Sequence, residues 1–251
     1  MDTATGVSYC KHRYSETVKR LISLTKIISR LEGYYGPPVP PSRDPLELIV
    51  LENIAYLAND TQRENAFAQL KERVGIDPEN ILKAGHKTLA GIAKAGILPD
   101  VSVEKLITVA QIAYQEFNSD LDAVIKLPTA KAKKALKRFP GIGDPGAEKI
   151  LLFAGVLPVL ALESNGLRVL LRIGFGKEDK NYSVSYRSVQ KAVSSGLPTD
   201  CEWLTRAHLL LRRHGKELCK TTKPKCELCP VQASCRYFST SSDRPSRQSN
   251  S

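Results

Sequence analysis

The chain has 251 residues, 42% of them hydrophobic, which is enough to bury a sizeable core as one large domain or two small ones and excludes disorder of the whole chain. Its 37 Lys and Arg outnumber 26 Asp and Glu, a formal net charge of +11; this favours a polyanionic partner, nucleic acid first, although an ordinary basic protein carries the same balance. No run of about 18 apolar residues occurs, and the N-terminus has neither an apolar signal core nor an Arg-rich, acid-poor amphipathic stretch, so a soluble cytoplasmic protein with no membrane partner is expected, nucleoid-associated if bacterial or archaeal.

Residues 15–33, "SETVKRLISLTKIISRLEG", place Val18, Leu21, Ile22, Leu24, Ile27, Ile28 and Leu31 on one 3.6-period stripe, which predicts an amphipathic helix ending at Gly33. "YYGPPVPPSRDP" follows, with five prolines between residues 34 and 45 that stop the helix and form an extended connector at an expected domain boundary. Helical spacing then recurs at 45–58, 61–73, 78–84, 87–94, 103–118, 119–126, 130–138 and 145–156, divided by Gly, Pro, Asn or Asp. Strand signals are weak: "KNYSVSYRSV" has some period-2 character but leads into a helix-like 184–195. An all-α fold is expected, without a fixed repeat, and residues 239–251 should be disordered.

Three places along this series carry chemistry. In "LIVLENIAYL", Glu52 sits in an otherwise apolar helix, either as a neutral acid in an apolar pocket or on the helix's polar side near Glu47. In "KAKKALKRFPGIGDPGAEKILLFAG", Gly141 and Gly143 permit positive φ and close backbone approach, so the hairpin N–H groups, with those of Ile142 between them, can meet a phosphate; a plain helical hairpin is the alternative. Asp144 is expected as an N-cap, with Pro145 as the first helical residue. The third is "CKTTKPKCELCPVQASC", which puts Cys219, Cys226, Cys229 and Cys235 at C-x6-C-x2-C-x5-C spacing, a metal site in a reducing compartment, either iron–sulfur or zinc. Cys10 and Cys201 lie outside it and should pack as small apolar groups.

Hairpin and cysteines in this order resemble the endonuclease III superfamily of DNA base glycosylases, from about residue 15 to 238. The resemblance includes "DPLELIVLENIAYLAND", "ALESNGLRVLLRIG" and "LLRRHGKELC". It implies a two-lobed helix-hairpin-helix fold. Residues 40–156 would form a helical barrel lobe with the motif at 131–156, and the N-terminal helix of 1–39 would pack on a cluster lobe of 157–238. It further implies a structural 4Fe-4S cluster on the four cysteines, whose loop presents Lys220, Lys223 and Lys225; Lys223 and Lys225 are the favoured phosphate contacts, and a solvated basic loop is the alternative.

Two positions depart from the family pattern. Where the bifunctional members carry a Schiff-base lysine this chain has Pro145, which has no free amine, so efficient lyase action is not expected. Lys149, one turn on, could substitute but reads better as solvated. The family's catalytic aspartate falls on Glu163, which could stabilise an oxocarbenium-like sugar or activate water, or could simply cap a helix near Ser164 and Asn165; Asp144 is the alternative acid. Glu52 matches the glutamate of the adenine and mismatch thymine glycosylase branches. Asn53 and Tyr56 could contact an extruded base, and Leu57 could fill the gap left in the duplex or be an ordinary core residue. The expected protein is thus a monomeric, monofunctional glycosylase acting on double-stranded DNA with a damaged, mismatched or abasic site. Its alternatives are a non-catalytic damage-binding protein of the same fold, or a weak lyase using Lys149 or the N-terminal amine.

Overall fold

The computed structural model describes residues 23–55 and 58–242, and among them every regular element is helical. The α-helices are α1 (Leu24–Tyr35), α2 (Pro45–Asn53), α3 (Asp60–Arg73), α4 (Pro78–Lys83), α5 (His86–Ala93), α6 (Pro99–Phe117), α7 (Leu121–Ile125), α8 (Thr129–Leu136), α9 (Asp144–Phe153), α10 (Ser164–Ile173), α11 (Tyr182–Val193), α12 (Cys201–Glu217) and α13 (Arg236–Ser242). None of them is long and apolar enough to cross a membrane.

Local chemistry explains the boundaries. Asp44 and Asp77 accept hydrogen bonds from the backbone N–H groups of Glu47 and Glu79, with Pro45 and Pro78 opening the helices behind them. Asn59 and Gln62 form a reciprocal capping box at α3. Gly33 does not end α1: a glycine is tolerated inside a helix at a cost of about 1 kcal/mol, and the stop comes at Gly36, where φ is +76° ahead of the prolines. The period-2 stretch at 180–189 is also helical from Tyr182, with Tyr186 and Val189 buried on one face of α11 and Tyr182 and Val184 exposed. Helix α13 runs into the expected tail as far as Ser242; residues 15–22, Cys10 and the rest of the tail lie outside the described residues.

Helix α2 is apolar on nearly every side and packs among α3, α6, α7 and α9, with α4 and α5 against α6. Helix α12 instead gathers α1 and α10, while α10 also meets α11 and α13. Helix α9 touches both sets, against α2 and α8 on one side and α12 on the other. The seam where α2, α9 and α12 face one another is lined by charged side chains.

Candidate active site and cysteine pocket

A cavity of ≈ 180 Å³ opens at that seam. Val39 and Pro41 of the connector, Leu51 and Glu52 of α2, Asp60, Arg63 and Glu64 of α3, Lys149 and Phe153 of α9, and His208, Leu209 and Arg212 of α12 form its wall. Glu52 is ion-paired with Lys149, whose side chain is only 17% exposed. Burial acts to raise the Glu52 carboxyl, but the Lys149 ammonium, with Arg63 and Arg212 farther off, outweighs it and holds the acid below its ordinary value. The expectation of a neutral Glu52 is therefore overturned, because Lys149 pairs with it directly and Arg63 and Arg212 stand among the apolar side chains of the same wall. The solvated Lys149 is corrected for the same reason: α9 turns it inward, onto Glu52.

Asp60 accepts two hydrogen bonds from Arg212, at 2.8 and 2.6 Å, and one from Lys216 at 2.6 Å. The Arg212 bonds, opposed by burial and helped by Lys216, hold its carboxyl far below the usual carboxylate range. His208 is wholly buried beneath the cavity, with Nδ1 2.8 Å from the Ala161 carbonyl oxygen and the ring edge-on to Phe153. Burial pulls its pKa down to about 4, so the imidazole is neutral at pH 7 and donates Nδ1–H to that carbonyl.

Glu163 does not line this cavity. It caps α10: Oε1 accepts the Gly166 N–H at 2.6 Å and Oε2 accepts Asn165 Nδ2 at 2.7 Å, while Arg168 holds Asn165 Oδ1 at 2.8 Å. Arg212 links it electrically to Glu52. Burial disfavours the Arg212 cation, but Asp60, then Glu163 and Glu52, more than offset this and raise its pKa. The Tyr182 phenol, pushed up to about 12 by burial and then by Glu163, donates to the Leu162 carbonyl at 3.2 Å.

In the hairpin between α8 and α9, Gly141 takes the positive φ of +74° that its turn requires, whereas Gly143 is extended at φ −93°, ψ −170°. Both glycines are exposed, and the Ile142 side chain is buried, so only the backbone of the hairpin tip faces outward. Gly143 is the N-cap residue and Asp144 the first helical one; the Asp144 carboxylate caps nothing and instead meets Lys137 at 2.9 Å, with Lys133 at 4.0 Å. Asn53 lies beneath the hairpin, not in the cavity. It is buried, donates Nδ2–H to the Ile49 carbonyl at 2.9 Å, and leaves Oδ1 unpartnered, 3.5 Å from where a Cβ on Gly141 would sit. Tyr56 and Leu57 lie outside the described residues.

The four clustered cysteines surround one apolar pocket closed by Val169, Ile173, Leu218, Val231, Tyr237 and Phe238. Burial raises the Cys226, Cys229 and Cys235 thiols, Cys229 to about 11. Among the described residues no three His, Cys, Asp or Glu side chains converge as a single-ion site would. The thiolates of a 4Fe-4S cube each bind a different iron around a shared cavity, as four cysteines about one apolar pocket can do. This donor set fits the cube. Lys220, Lys223 and Lys225 are exposed on the loop around the pocket, with Lys223 at φ +52°.

Comparison with known proteins agrees with this architecture. Endonuclease III of Rickettsia conorii is 29% identical over 161 residues, covering 64% of this chain and 70% of that protein. A solved structure of a trapped endonuclease III–DNA covalent intermediate superposes with a TM-score of 0.68 at 18% identity, covering 88% of this chain and 100% of the other. The chain is endonuclease III-like. A thermostable thymine-DNA glycosylase shares the fold equally well, with a TM-score of 0.68 at 20% identity over 86% of this chain and 97% of that one. No family model matches the chain.

Within this endonuclease III-like fold, sequence reasoning passed over Asp60, His208 and Arg212. Asp60 and Arg212 are ordinary members of polar helix turns until α3 and α12 bring them together, and nothing in their local spacing signals a pairing across 152 positions. "LLRRHG" did offer one clue: Arg212 falls on the apolar side of α12, next to Leu211, where an unpaired guanidinium would be costly.

Proposed function

We propose that this chain is a monofunctional DNA glycosylase that hydrolyses the N-glycosidic bond of a flipped, damaged or mismatched base in double-stranded DNA, and that it works as a monomer. One observation carries the reading: the first turn of α9 holds Pro145, and the nearest lysine amine on that helix, Lys149, is committed to Glu52. An ammonium paired with a carboxylate is a poor nucleophile, so neither residue favours a Schiff base.

The hairpin N–H groups of Gly141, Ile142 and Gly143, the N-terminal end of α9 and the exposed Lys223 and Lys225 would meet phosphates, which fixes the register on the duplex without reading its sequence. An extruded base entering the cavity would find an acceptor in Glu52 and a proton-bearing donor in Lys149 side by side. Glu163 is the carboxylate proposed for the sugar, stabilising positive charge as the base departs and orienting water. The four cysteines would hold the 4Fe-4S cluster; when bound it pins the loop between Cys219 and Cys235, and with it Lys223 and Lys225, in one conformation.

Single-turnover base release on a duplex panel tests this. Uracil, thymine glycol, G·T, A·8-oxoguanine, hypoxanthine, alkylated purines and an abasic site would be read with and without hot alkali. Breaks that need alkali support a monofunctional enzyme, and breaks without it overturn that reading. A second reading, a non-catalytic binder of damaged DNA, is favoured by the engagement of both Glu163 oxygens in the α10 cap. It predicts tight, salt-dependent binding with no release at any enzyme excess.

A further inference from the structure

His214, in the last turn of α12, is buried between two partners that do not belong to its own helix. Its Nδ1 lies 3.1 Å from the hydroxyl of Tyr35, at the end of α1, and its Nε2 lies 3.5 Å from Sγ of Cys229. A neutral imidazole carries one N–H, and whichever nitrogen bears it is decided by what the other nitrogen meets. A hydroxyl can donate to Nδ1; a thiolate bound to iron can only accept. The arrangement that satisfies both contacts has Tyr35 donating to Nδ1 and Nε2–H donating to sulfur.

Tyr35 is held for this. The Arg213 guanidinium lies over its ring, 4.7 Å from the centroid, and donates to its backbone carbonyl at 3.1 Å. Tyr34 packs edge-on against the same ring at 4.7 Å. The guanidinium of Arg172, also at the pocket, is differently occupied. Arg172 approaches Cys219 Sγ at 3.5 Å, but its N–H groups also serve the carbonyls of Cys219, Lys220 and Thr221, at 3.4, 2.7 and 3.0 Å. Among the described residues, the hydrogen-bond contact at His214 Nε2 is Cys229 Sγ.

We propose that His214 Nε2–H, in the tautomer set by the Tyr35 hydroxyl, donates a hydrogen bond to the Cys229 thiolate and raises the reduction potential of the iron–sulfur cluster, with Tyr35 as the positioning residue. The proposal rests on the 4Fe-4S reading of the four cysteines. Adding one electron makes the core and its thiolates more negative, and a donor aimed at one sulfur in an apolar pocket favours that state. The electron enters the cluster from an external one-electron carrier, no bond at His214 is made or broken, and the proton stays on Nε2.

Iron and sulfide analysis of the purified full chain comes first: protein that takes up no four-iron cluster overturns the cofactor reading and this inference together. On loaded protein, film voltammetry should show a lower potential for His214→Leu, recovery toward the parent value for His214→Gln, whose amide can still donate, and a smaller downward shift for Tyr35→Phe. A loaded His214→Leu protein with an unshifted potential overturns the inference alone. Pulsed paramagnetic resonance on the reduced parent protein with ¹⁵N-histidine requires no variant to fold. A histidine nitrogen coupled to the cluster is expected, and its absence would sink the proposal.

Discussion

At the scale of single residues, the seam is governed by which charge faces which. Glu52 is the test of this, since its side chain is 36% exposed and its ionisation depends on Lys149 more than on water. Lys149→Met should cost about 1 kcal/mol at pH 7, as expected for a half-open pair that loses one partner. The sign follows from the lowered carboxyl: the pair's contribution is present above the ordinary glutamate pKa and is lost as pH falls through the lower folded value. Urea midpoints of parent and variant should therefore differ at pH 7 and converge in strong acid; an acid-independent gap would mean Lys149 acts through packing alone. Glu163 separates two roles in the same way. Glu163→Ala removes the cap and should lower stability by about 1 kcal/mol. Glu163→Gln keeps an oxygen for Gly166 N–H but sets its amide NH2 against Asn165 Nδ2, so it should cost less stability than Glu163→Ala, yet drop single-turnover base release by on the order of 100-fold or more. Equal release by parent and Glu163→Gln would leave the residue with its cap and nothing else.

At the scale of elements, α10 and α12 cross so closely that Gly215 admits no side chain: an added Cβ would stand 2.7 Å from the Cβ and carbonyl oxygen of Asn165. Neither helix can retreat freely. Arg168 spans the crossing, bonding the Gly215 carbonyl at 2.9 Å and Cys219 at 3.0 Å. Gly215→Ala should thus cost roughly 1–3 kcal/mol, visible as a lower Tm, with the cysteine pocket disturbed because Cys219, four residues on, bonds the His214 carbonyl at 2.8 Å. Helical spacing in the sequence announced most elements within a few residues, since periodic apolar stripes and Asp-Pro starts are local signals. What it misplaced has one local cause and one distant one. Gly33 looked like a stop because no property of its own says that α1 has a better one three residues later, at Gly36. Asn53 looked like a base contact because spacing along α2 cannot reveal that the hairpin, about 90 positions on, covers it. The cysteines were legible because metal chemistry fixes residue type and spacing together, whereas the cavity pairs join helices whose order in the chain says nothing about their meeting.

At the scale of the whole molecule, α3 and α12 are joined across the seam by Asp60 with Arg212 and Lys216, while the buried His208 of α12 packs against Phe153 of α9 and bonds the Ala161 carbonyl. These groups give the fold a defined response to acid. Asp60, held far below its ordinary value, contributes stability above the unfolded carboxylate pKa and gives it up only in strong acid. His208 acts in a milder range. Its folded pKa of about 4 lies below the ordinary 6.5, so the unfolded chain takes up a proton between those values while the folded chain does not. Its effect on stability is zero above pH 6.5, and it destabilises progressively as pH falls, levelling off near pH 4 after a loss of about 3 kcal/mol. His208→Asn keeps an N–H for the Ala161 carbonyl and removes the titration. Denaturant unfolding from pH 7.5 to 4 should show the parent losing this stability while the variant, lower at pH 7.5, falls less steeply. Identical slopes would mean that water reaches the ring and that the packing of α12 on α9 around it opens before the fold is lost.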